Sequence, residues 1–222
     1  MPGSDLAART YHEQYRGSPA EEYIKARGLG EAADQFGLGY VGSAIPGHER
    51  YRGYLAIPYL RPAGGEDGVA TVRYRCIADE CVRAPDGGLL VLQAEKEQHQ
   101  GHGKYLTLPG DLPRLFNTQA LIEPTPTMVV VEGELDAMTW ALVGVPAVAA
   151  PGTGTWAAYW TGPLRGYRTV YLIAEDGPGL TFMDSIAADL PNSRVITMPG
   201  DLDSNATFLK SGRAALLERI GH

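Results

Sequence analysis

Acidic residues follow three of the apolar runs in the second half of the sequence. They form the groups Glu132-Gly133-Glu134-Leu135-Asp136, Glu175-Asp176-Gly177 and Pro199-Gly200-Asp201-Leu202-Asp203. Three groups of carboxylates that converge on one rim repel one another unless a cation lies between them, and hard oxygen ligands select Mg²⁺ or Mn²⁺. The pattern therefore predicts a site for divalent metal ions and, with it, phosphoryl or nucleotidyl transfer.

Each acid taken alone has another interpretation, because Asp and Glu often cap a helix that follows a strand. Three such groups together favour the metal site. A further apolar run ends in Pro151-Gly152-Thr153-Gly154, where the glycines allow a phosphate group or a backbone segment to approach closely.

The elements that must position these residues alternate regularly after residue 126. Apolar runs rich in β-branched residues predict strands, and each is followed by a stretch compatible with a helix. The predicted strands are 128–131, 147–150, 169–174 and 194–198, and the predicted helices are Leu135 to Val143, Trp156 to Leu164, Thr181 to Leu190 and Asn205 to Ile220. Such alternation predicts an α/β fold in which helices flank a parallel sheet, with ligands beyond the carboxyl ends of the strands.

The first half is patterned differently and predicts an α+β subdomain. A helix is expected at Ala20 to Arg27, and a second short amphipathic segment leads to FGLGY. The runs YLAIPYL, VATVRYRCI and LLVLQAE predict strands of a meandering sheet, because Gly-, Pro- and Asp-rich turns separate them. Two prolines interrupt any regular element at residues 122–127, so the predicted domains are 1–125 and 126–222.

Arginine and tyrosine are concentrated between residues 50 and 75. This basic strip contains Arg50, Arg52, Arg61, Arg73 and Arg75, interleaved with Tyr51, Tyr54, Tyr59 and Tyr74. The mixture suits a single nucleic-acid strand held through phosphate contacts and base stacking. It fits equally well a half-buried sheet whose arginines line the solvated face, and the spacing alone does not separate the two interpretations.

The composition is that of a globular protein: 44% of the 222 residues are apolar and 20% are charged. The sequence lacks an apolar run of about eighteen residues and a secretory N-terminal pattern, so we expect a cytosolic protein. The net charge of −7 argues against nucleic-acid binding at first sight. Several of the acids, however, stand where divalent cations would neutralise them.

Two cysteines, Cys76 and Cys81, are too few for a four-cysteine zinc site and are interpreted as ordinary thiols of a cytosolic protein. His99 and His102, in the segment QHQGHGK, could complete a metal site with them. Glycine-flanked histidines between structured segments are more often solvated loop residues, and that is the interpretation we favour.

The segment VVVEGELDAMTWALVGVPAVAAPGTG resembles the opening half of the Toprim fold of DnaG-like primases, the bacterial and bacteriophage type of DNA primase. The family pattern is a strand, Glu-Gly-x-x-Asp, a helix, a small apolar strand and Gly-Thr. The matching residues are Glu132, Gly133, Asp136, Gly152 and Thr153. Further along, MPGDLDSNATFLKSGRAALL resembles the closing stretch of that fold, with Asp203 and Asn205 on its polar pair.

The N-terminal half resembles the rest of the primase core. AEEYIKARGLGEAADQFGLGYVG is similar to its helical opening, and LAIPYL, VATVRYRCI and GKYLTLPGDLPRLFN are similar to its strands and Lys-Tyr-Leu segment. The resemblance puts Arg75 and Lys104 on basic positions near the template and the incoming nucleotide. It implies a Toprim-type parallel sheet flanked by helices, preceded by an α+β primase-core subdomain.

The activity that this resemblance implies is metal-dependent synthesis of short RNA primers from NTPs on single-stranded DNA, with Mg²⁺ or Mn²⁺ as cofactor. The implied catalytic residues are Glu132, Asp136 and Asp176. The implied metal ligands are Glu132, Glu175, Asp176, Asp201 and Asp203. The residues expected to contact nucleotide or template are Arg73, Arg75, Lys104, Gly152 and Thr153.

The third acidic group departs from the family pattern, which has Asp-x-Asp after the strand. Either Glu175 or Asp176 can take the place of the first Asp. Adjacent residues of an extended strand point to opposite faces, so only one of the two is expected to face the metals. We favour Asp176, which keeps the family's residue type and precedes the turn Gly177-Pro178-Gly179. The missing second Asp predicts weak metal binding.

Two other functions stay open. A Toprim-type nuclease would use the same ions to let water attack a phosphodiester, and a catalytically weak or inactive module would hold single-stranded DNA or the replisome. Bacterial primases carry a zinc-ribbon domain before the core and a helicase-binding domain after it, and this sequence, like some bacteriophage primases, has no segment resembling either. We therefore expect weak initiation by this chain alone, with a replicative helicase or a separate zinc-ribbon protein as partner.

Overall fold

The computed structural model describes residues 2–65, 68–92 and 97–221. Contacts divide the chain into two compact units, Met1–Asp111 (unit 1) and Leu112–His222 (unit 2). Each unit has its own sheet and its own hydrophobic core.

This division falls earlier in the chain than the expected boundary after residue 125. The segment that follows residue 111 packs on the sheet of unit 2, which explains the difference. Phe116 and Ala149 exchange two backbone hydrogen bonds of 2.9 and 3.3 Å, and the side-chain amide of Asn117 donates to the Ala147 carbonyl at 2.8 Å.

Unit 1 is an antiparallel sheet with short helices. The helices are α1 (Pro2–Glu13), α2 (Pro19–Ala26), α3 (Ala32–Gln35) and α4 (Asp79–Val82), with a 3-10 helix at Glu49–Tyr51. The strands are β1 (Gly39–Tyr40), β2 (Leu55–Leu60), β3 (Val69–Arg75) and β4 (Tyr105–Leu106), paired in the order β1-β2-β3-β4. The predicted helix at 20–27 and the strands in YLAIPYL and VATVRYRCI are confirmed.

Aromatic side chains form the core of unit 1 between α1 and the sheet. Tyr11 of α1, Tyr51 and Tyr74 of β3 are each no more than 1% exposed. The rings of Tyr51 and Tyr74 stack with their centroids 3.9 Å apart, and both meet His48 edge-on. Offset and edge-to-face aromatic pairs each contribute about 0.5–1.5 kcal/mol beyond the area they bury, so this cluster fixes α1 on the sheet.

The run LLVLQAE does not form the predicted strand. Of its described residues only Leu89 pairs, as an isolated bridge with Arg83; residues 93–95 lie outside the described part of the chain. The edge of β3 is occupied instead by β4, whose Tyr105 pairs with Arg75. The strand β4 pairs with the last two residues of β3, Tyr74 and Arg75, whereas the amide of Leu90 donates to the Val82 carbonyl at 2.8 Å.

Unit 2 is a parallel α/β sheet. Its strands are β5 (Thr127–Val131), β6 (Ala147–Ala149), β7 (Thr169–Ala174) and β8 (Ser193–Thr197), in the order β6-β5-β7-β8. Its helices are α5 (Glu134–Leu142), α6 (Thr161–Leu164), α7 (Gly177–Ala187) and α8 (Ser204–Arg219), with 3-10 helices at Thr118–Ile122, Ala158–Trp160 and Pro199–Asp201. The predicted fold class and all four predicted strands are confirmed.

Helices cover both faces of the parallel sheet. On one face, Val130 and Leu172 pack with Leu164 of α6 and with Phe182 and Ile186 of α7. On the other, α5 packs against β5, β6 and α8, and the Tyr171 hydroxyl of β7 donates to the Ile220 carbonyl just beyond α8 at 2.8 Å. The carboxyl ends of the strands therefore lie at one edge of a rigid layer, where the acidic groups emerge.

The predicted helices differ from the observed ones mainly at three places. Helix α7 begins at Gly177 and ends at Ala187, whereas the sequence predicts a helix from Thr181 to Leu190. The helix expected at Trp156 to Leu164 begins only at Ala158, as a 3-10 turn that runs into α6. Helix α8 is interrupted at Gly212, whose φ of 78° and ψ of −179° are a backbone conformation that suits glycine. Among the described residues, no helix is long and apolar enough to cross a membrane.

Candidate active site and metal centre

Three carboxylates from three separate segments meet beyond the strand ends of unit 2. Asp136 lies in the first turn of α5, Glu175 directly follows β7, and Asp203 is the residue that caps α8. One carboxylate oxygen from each lies within 4.8 Å of the others, close enough for a single cation to reach all three. Oxygen ligands of this kind are those that Mg²⁺ and Mn²⁺ prefer.

Glu175 is the most deeply placed member of this group. Burial, followed by the charges of Asp136, Asp203 and Glu132, raises its pKa well above the ordinary value of a glutamate. Its Oε1 is buried and has no hydrogen-bond partner among the described residues. An ionised carboxylate in this position is costly unless a cation compensates it, so the residues present fit a divalent metal ion.

Asp136 is held in place by the start of α8. Its Oδ1 accepts a hydrogen bond of 3.0 Å from the backbone amide of Asn205, and the Asn205 side chain donates to Thr139 Oγ1 at 3.0 Å. Trp140 Nε1 donates to Ser204 Oγ at 3.0 Å, which ties the same two helices together. These links are buried, so the Asp136 and Asp203 carboxylates are held in a fixed geometry.

Glu132 stands beside the three carboxylates and has its own partners. Its Oε2 accepts a hydrogen bond of 2.7 Å from Thr153 Oγ1, and its Oε1 is buried without a hydrogen-bond partner among the described residues. Burial raises the pKa of Glu132; the Thr153 hydrogen bond lowers it and the charge of Asp176 raises it further. Gly152 has a φ of 134°, a conformation that glycine adopts easily, and so turns the chain toward Thr153.

The structure brings Glu175 to the other carboxylates, whereas the sequence favoured its neighbour Asp176. The Asp176 side chain is the N-cap of α7, where its Oδ1 accepts a 2.7 Å hydrogen bond from the Gly179 amide, and it does not join the group of three carboxylates. Glu175 takes that place because the turn begins only after it. The side chain of Asp201 lies outside the described part of the structure, so its predicted metal contact stays a prediction.

Metal ions are expected to stabilise the protein through this site. Millimolar Mn²⁺ or Mg²⁺ should raise the melting temperature, by an amount equivalent to about 2.7 kcal/mol at a concentration roughly 100 times Kd. Asp203→Asn should remove most of this response. Lys210→Gln, an exposed substitution on the same helix, should keep it. Unchanged melting of the parent protein in metal would contradict the site.

Arg75, which the sequence analysis places among the residues that contact nucleotide or template, is buried in the structure. Its side chain is 3% exposed, its Nη2 lies 2.8 Å from Glu97 Oε2, and its Nε donates to the Tyr23 hydroxyl at 2.9 Å. Lys104 also approaches Glu97 Oε2, at 3.5 Å, but its side chain is 46% exposed. Lys104 can therefore reach a ligand, whereas Arg75 is part of the core.

Three of the four tyrosines of the basic strip are likewise too buried to stack on bases, and Tyr54 is half-buried. Tyr51, Tyr59 and Tyr74 are no more than 3% exposed. Arg73 is half-buried, with its guanidinium carbon 4.4 Å from the centre of the Tyr105 ring. The exposed arginines of the strip are Arg50 and Arg52. A sequence pattern could not show this, because the burial of β2 and β3 depends on partners distant in the sequence, such as α1.

Comparison with known proteins identifies one close relative in sequence. No family model matches the chain. It is 41% identical over 172 residues to the Gene 57 protein of Mycobacterium phage D29, and the alignment covers 77% of this chain and 99% of that protein.

Solved structures with the same fold are primase domains. The zinc-binding and RNA polymerase domains of the Aquifex aeolicus primase match with a TM-score of 0.74 at 20% identity, covering 97% of this chain and 59% of that one. The RNA polymerase domain of Mycobacterium tuberculosis DnaG, in complex with a double-stranded DNA oligomer with a 6-nucleotide overhang, matches with a TM-score of 0.74 at 20% identity, covering 100% of this chain and 79% of that one. At this identity the likeness shows the fold.

Proposed function

Because the chain belongs to the family of the Gene 57 protein of Mycobacterium phage D29 and has the fold of the DnaG primase catalytic core, we propose that it is a DNA primase. In this proposal it is a nucleotidyltransferase that joins NTPs into short RNA primers on single-stranded DNA. The observation that carries the proposal is the meeting of Asp136, Glu175 and Asp203 at the strand ends of this fold, around a buried oxygen without a partner.

The three carboxylates would hold Mg²⁺ or Mn²⁺, which supplies Lewis-acid activation of the attacking hydroxyl and stabilisation of the leaving pyrophosphate. Glu132, whose pKa is raised by burial, would accept a hydrogen bond from the primer 3′-hydroxyl and take up its proton. Thr153 orients that carboxylate. Asp176 would act indirectly, by fixing the first turn of α7 behind Glu175.

Positive charge for the triphosphate and the template would come from unit 1. Lys104, nearly half-exposed, is the candidate for the incoming nucleotide. The M. tuberculosis domain was crystallised with DNA that has a single-stranded overhang, which supports a DNA template for this chain. We further propose a replicative helicase or a separate zinc-ribbon protein as partner and the bacterial host cytoplasm as the place of action.

Substitution of the exposed arginines is expected to weaken single-stranded DNA binding. Arg50→Ala and Arg52→Ala should each reduce the slope of log K against log salt by about 0.7, the value of one phosphate contact on a single strand. Arg16→Ala, at an arginine that is 64% exposed and paired with Asp34, is the matched control. If all three variants bind like the parent across the titration, the strip is a solvated protein surface.

A primer-synthesis assay tests the proposed function and separates it from the alternatives. Labelled NTPs, a single-stranded template and Mn²⁺ should give short RNA products that require the template. A nuclease would shorten the labelled template under the same conditions. A binding module would retain the template in a filter assay while giving neither product. Either of the last two outcomes would overturn the proposal.

A further inference from the structure

A second group of metal-binding side chains lies in unit 1, remote in sequence from the acidic site. It consists of Cys76, Cys81, His99 and His102, and one potential ligand atom from each lies within 4.8 Å of the others. Both cysteines are 2% exposed and neither forms a disulfide. We propose that these four residues bind one Zn²⁺ ion with tetrahedral geometry.

The distances around His102 are those of a tetrahedral site. Its Nε2 lies 3.2 Å from Cys76 Sγ and 3.6 Å from Cys81 Sγ. Zinc–nitrogen and zinc–sulfur bonds of about 2.0 and 2.3 Å place neighbouring ligand atoms about 3.3 to 3.8 Å apart. The other ring nitrogen, Nδ1, lies 3.1 Å from the Gln100 carbonyl, a contact that leaves Nε2 to face the sulfur atoms, as in known zinc sites.

His99 is buried in a way that its present contacts do not explain. Its side chain is 8% exposed, and neither ring nitrogen meets the geometry of a hydrogen bond among the described residues. Glu97 Oε2 lies 3.5 Å from His99 Nε2 and is a carboxylate of the kind that often stands behind a zinc-bound histidine. A metal ion would compensate the buried imidazole, which the solvated-loop interpretation of the sequence leaves without a partner.

Backbone hydrogen bonds hold the segment with the two histidines against the two cysteines. The amide of Gln98, next to His99, donates to the Cys81 carbonyl at 3.1 Å, and the amide of Cys76 donates to the Lys104 carbonyl at 2.9 Å. Cys76 follows β3 directly, and Cys81 lies within α4. The two cysteines are therefore carried by regular elements, and the loop that holds the two histidines is hydrogen-bonded to both cysteines. We expect binding to need little rearrangement, and the ion would fix the loop that ends at Lys104.

The Cys₂His₂ donor set also decides the metal. Two thiolates and two imidazoles favour Zn²⁺ over Mg²⁺ or Mn²⁺, whereas the all-carboxylate group of unit 2 has the opposite preference. The two sites can therefore be loaded and read separately. Loss of the zinc site would leave the carboxylate site intact, and the reverse also holds. Failure of the zinc proposal is therefore distinguishable from failure of the proposed primase activity.

The test measures zinc in untagged protein after gel filtration in zinc-free buffer containing Mg²⁺. We expect one zinc per chain by elemental analysis and, after exchange with Co²⁺, the visible bands of a tetrahedral ion together with a thiolate-to-cobalt charge-transfer band. A parent protein that neither retains zinc nor gives this charge-transfer band with Co²⁺ would overturn the proposal.

Two variants and two controls separate ligation from folding. His102→Ala, at an exposed ring, and Cys76→Ser should each weaken zinc binding by more than about 100-fold, since even outer-shell partners are worth roughly 10- to 100-fold. His12→Ala, at a histidine whose side chain is 42% exposed, and Glu175→Gln should keep full zinc content. Parent-like affinity in His102→Ala would refute the proposed ligand set.

Discussion

Glu175→Gln is expected to reduce Mn²⁺-dependent primer synthesis by roughly 100- to 1000-fold, because several kcal/mol of charge stabilisation at the metal site would be lost. Asp176→Asn is expected to keep most of the activity, since an Asn oxygen can still accept the hydrogen bond from the Gly179 amide that caps α7. The measurement is the initial rate of labelled NTP incorporation on a single-stranded template at saturating Mn²⁺.

The melting temperature of Glu175→Gln, measured with and without Mn²⁺, distinguishes loss of the metal site from misfolding. Glu175→Gln removes a buried carboxylate that faces two others, so its melting temperature without metal should rise, while the stabilisation by Mn²⁺ should largely disappear. Glu132→Gln is expected to abolish activity as well, but it should retain part of that metal response. A larger loss of activity in Asp176→Asn than in Glu175→Gln would indicate that Asp176, and not Glu175, binds the metal ion.

Glu97→Gln is expected to destabilise unit 1 by about 3 to 5 kcal/mol, the usual cost of leaving buried charges unpaired. Glu97 lies 2.6 Å from Arg27 and 2.8 Å from Arg75, and all three side chains are less than a tenth exposed. Burial would raise the pKa of Glu97, but Arg75, Arg27 and Lys104 together lower it far below the ordinary value. The carboxylate is thus ionised and holds two buried cations in place.

A matched control exists for this substitution. Glu22 pairs with Arg83 at the same distance of 2.8 Å, but its side chain is 57% exposed, so Glu22→Gln should cost less than about 1 kcal/mol. Hydrogen exchange resolved by peptide measures both units in one experiment. The three tryptophans, Trp140, Trp156 and Trp160, all lie in unit 2 and report on it by fluorescence. Equal loss of protection in both variants would show that Glu97 has no special role.

The parallel sheet could be predicted because its central strands have a clear sequence pattern. Runs such as TMVVV and TVYLIA are buried on both faces, and burial on both faces leaves a continuous β-branched signal in the sequence. The acids that follow these runs could be placed on one edge by topology alone. The approximate location of Asp136, Glu175 and Asp203 was therefore within reach of the sequence.

The finer features depend on partners that are distant in the sequence. The charge of Arg75 suggested a nucleic-acid contact, but Glu97 neutralises it inside the protein. Whether Glu175 or Asp176 faces the metal depends on where α7 begins, which is set by a hydrogen bond to Gly179. In the sequence, His99 and His102 are typical of solvated loop residues; only the fold shows that they lie beside Cys76 and Cys81. Neither propensity nor spacing carries this information.

Gly179 lies so close to Glu132 that it limits which sequences can keep this site. A Cβ at position 179 would overlap the Glu132 carboxylate, although the two residues belong to different segments. The obstructed atom is the end of a flexible side chain, so an alanine there would be tolerated by the fold and would move the acid. A search pattern that requires Glu-Gly-x-x-Asp together with glycine at the third position of the later Gly-Pro-Gly turn would therefore select this geometry more sharply than either motif alone.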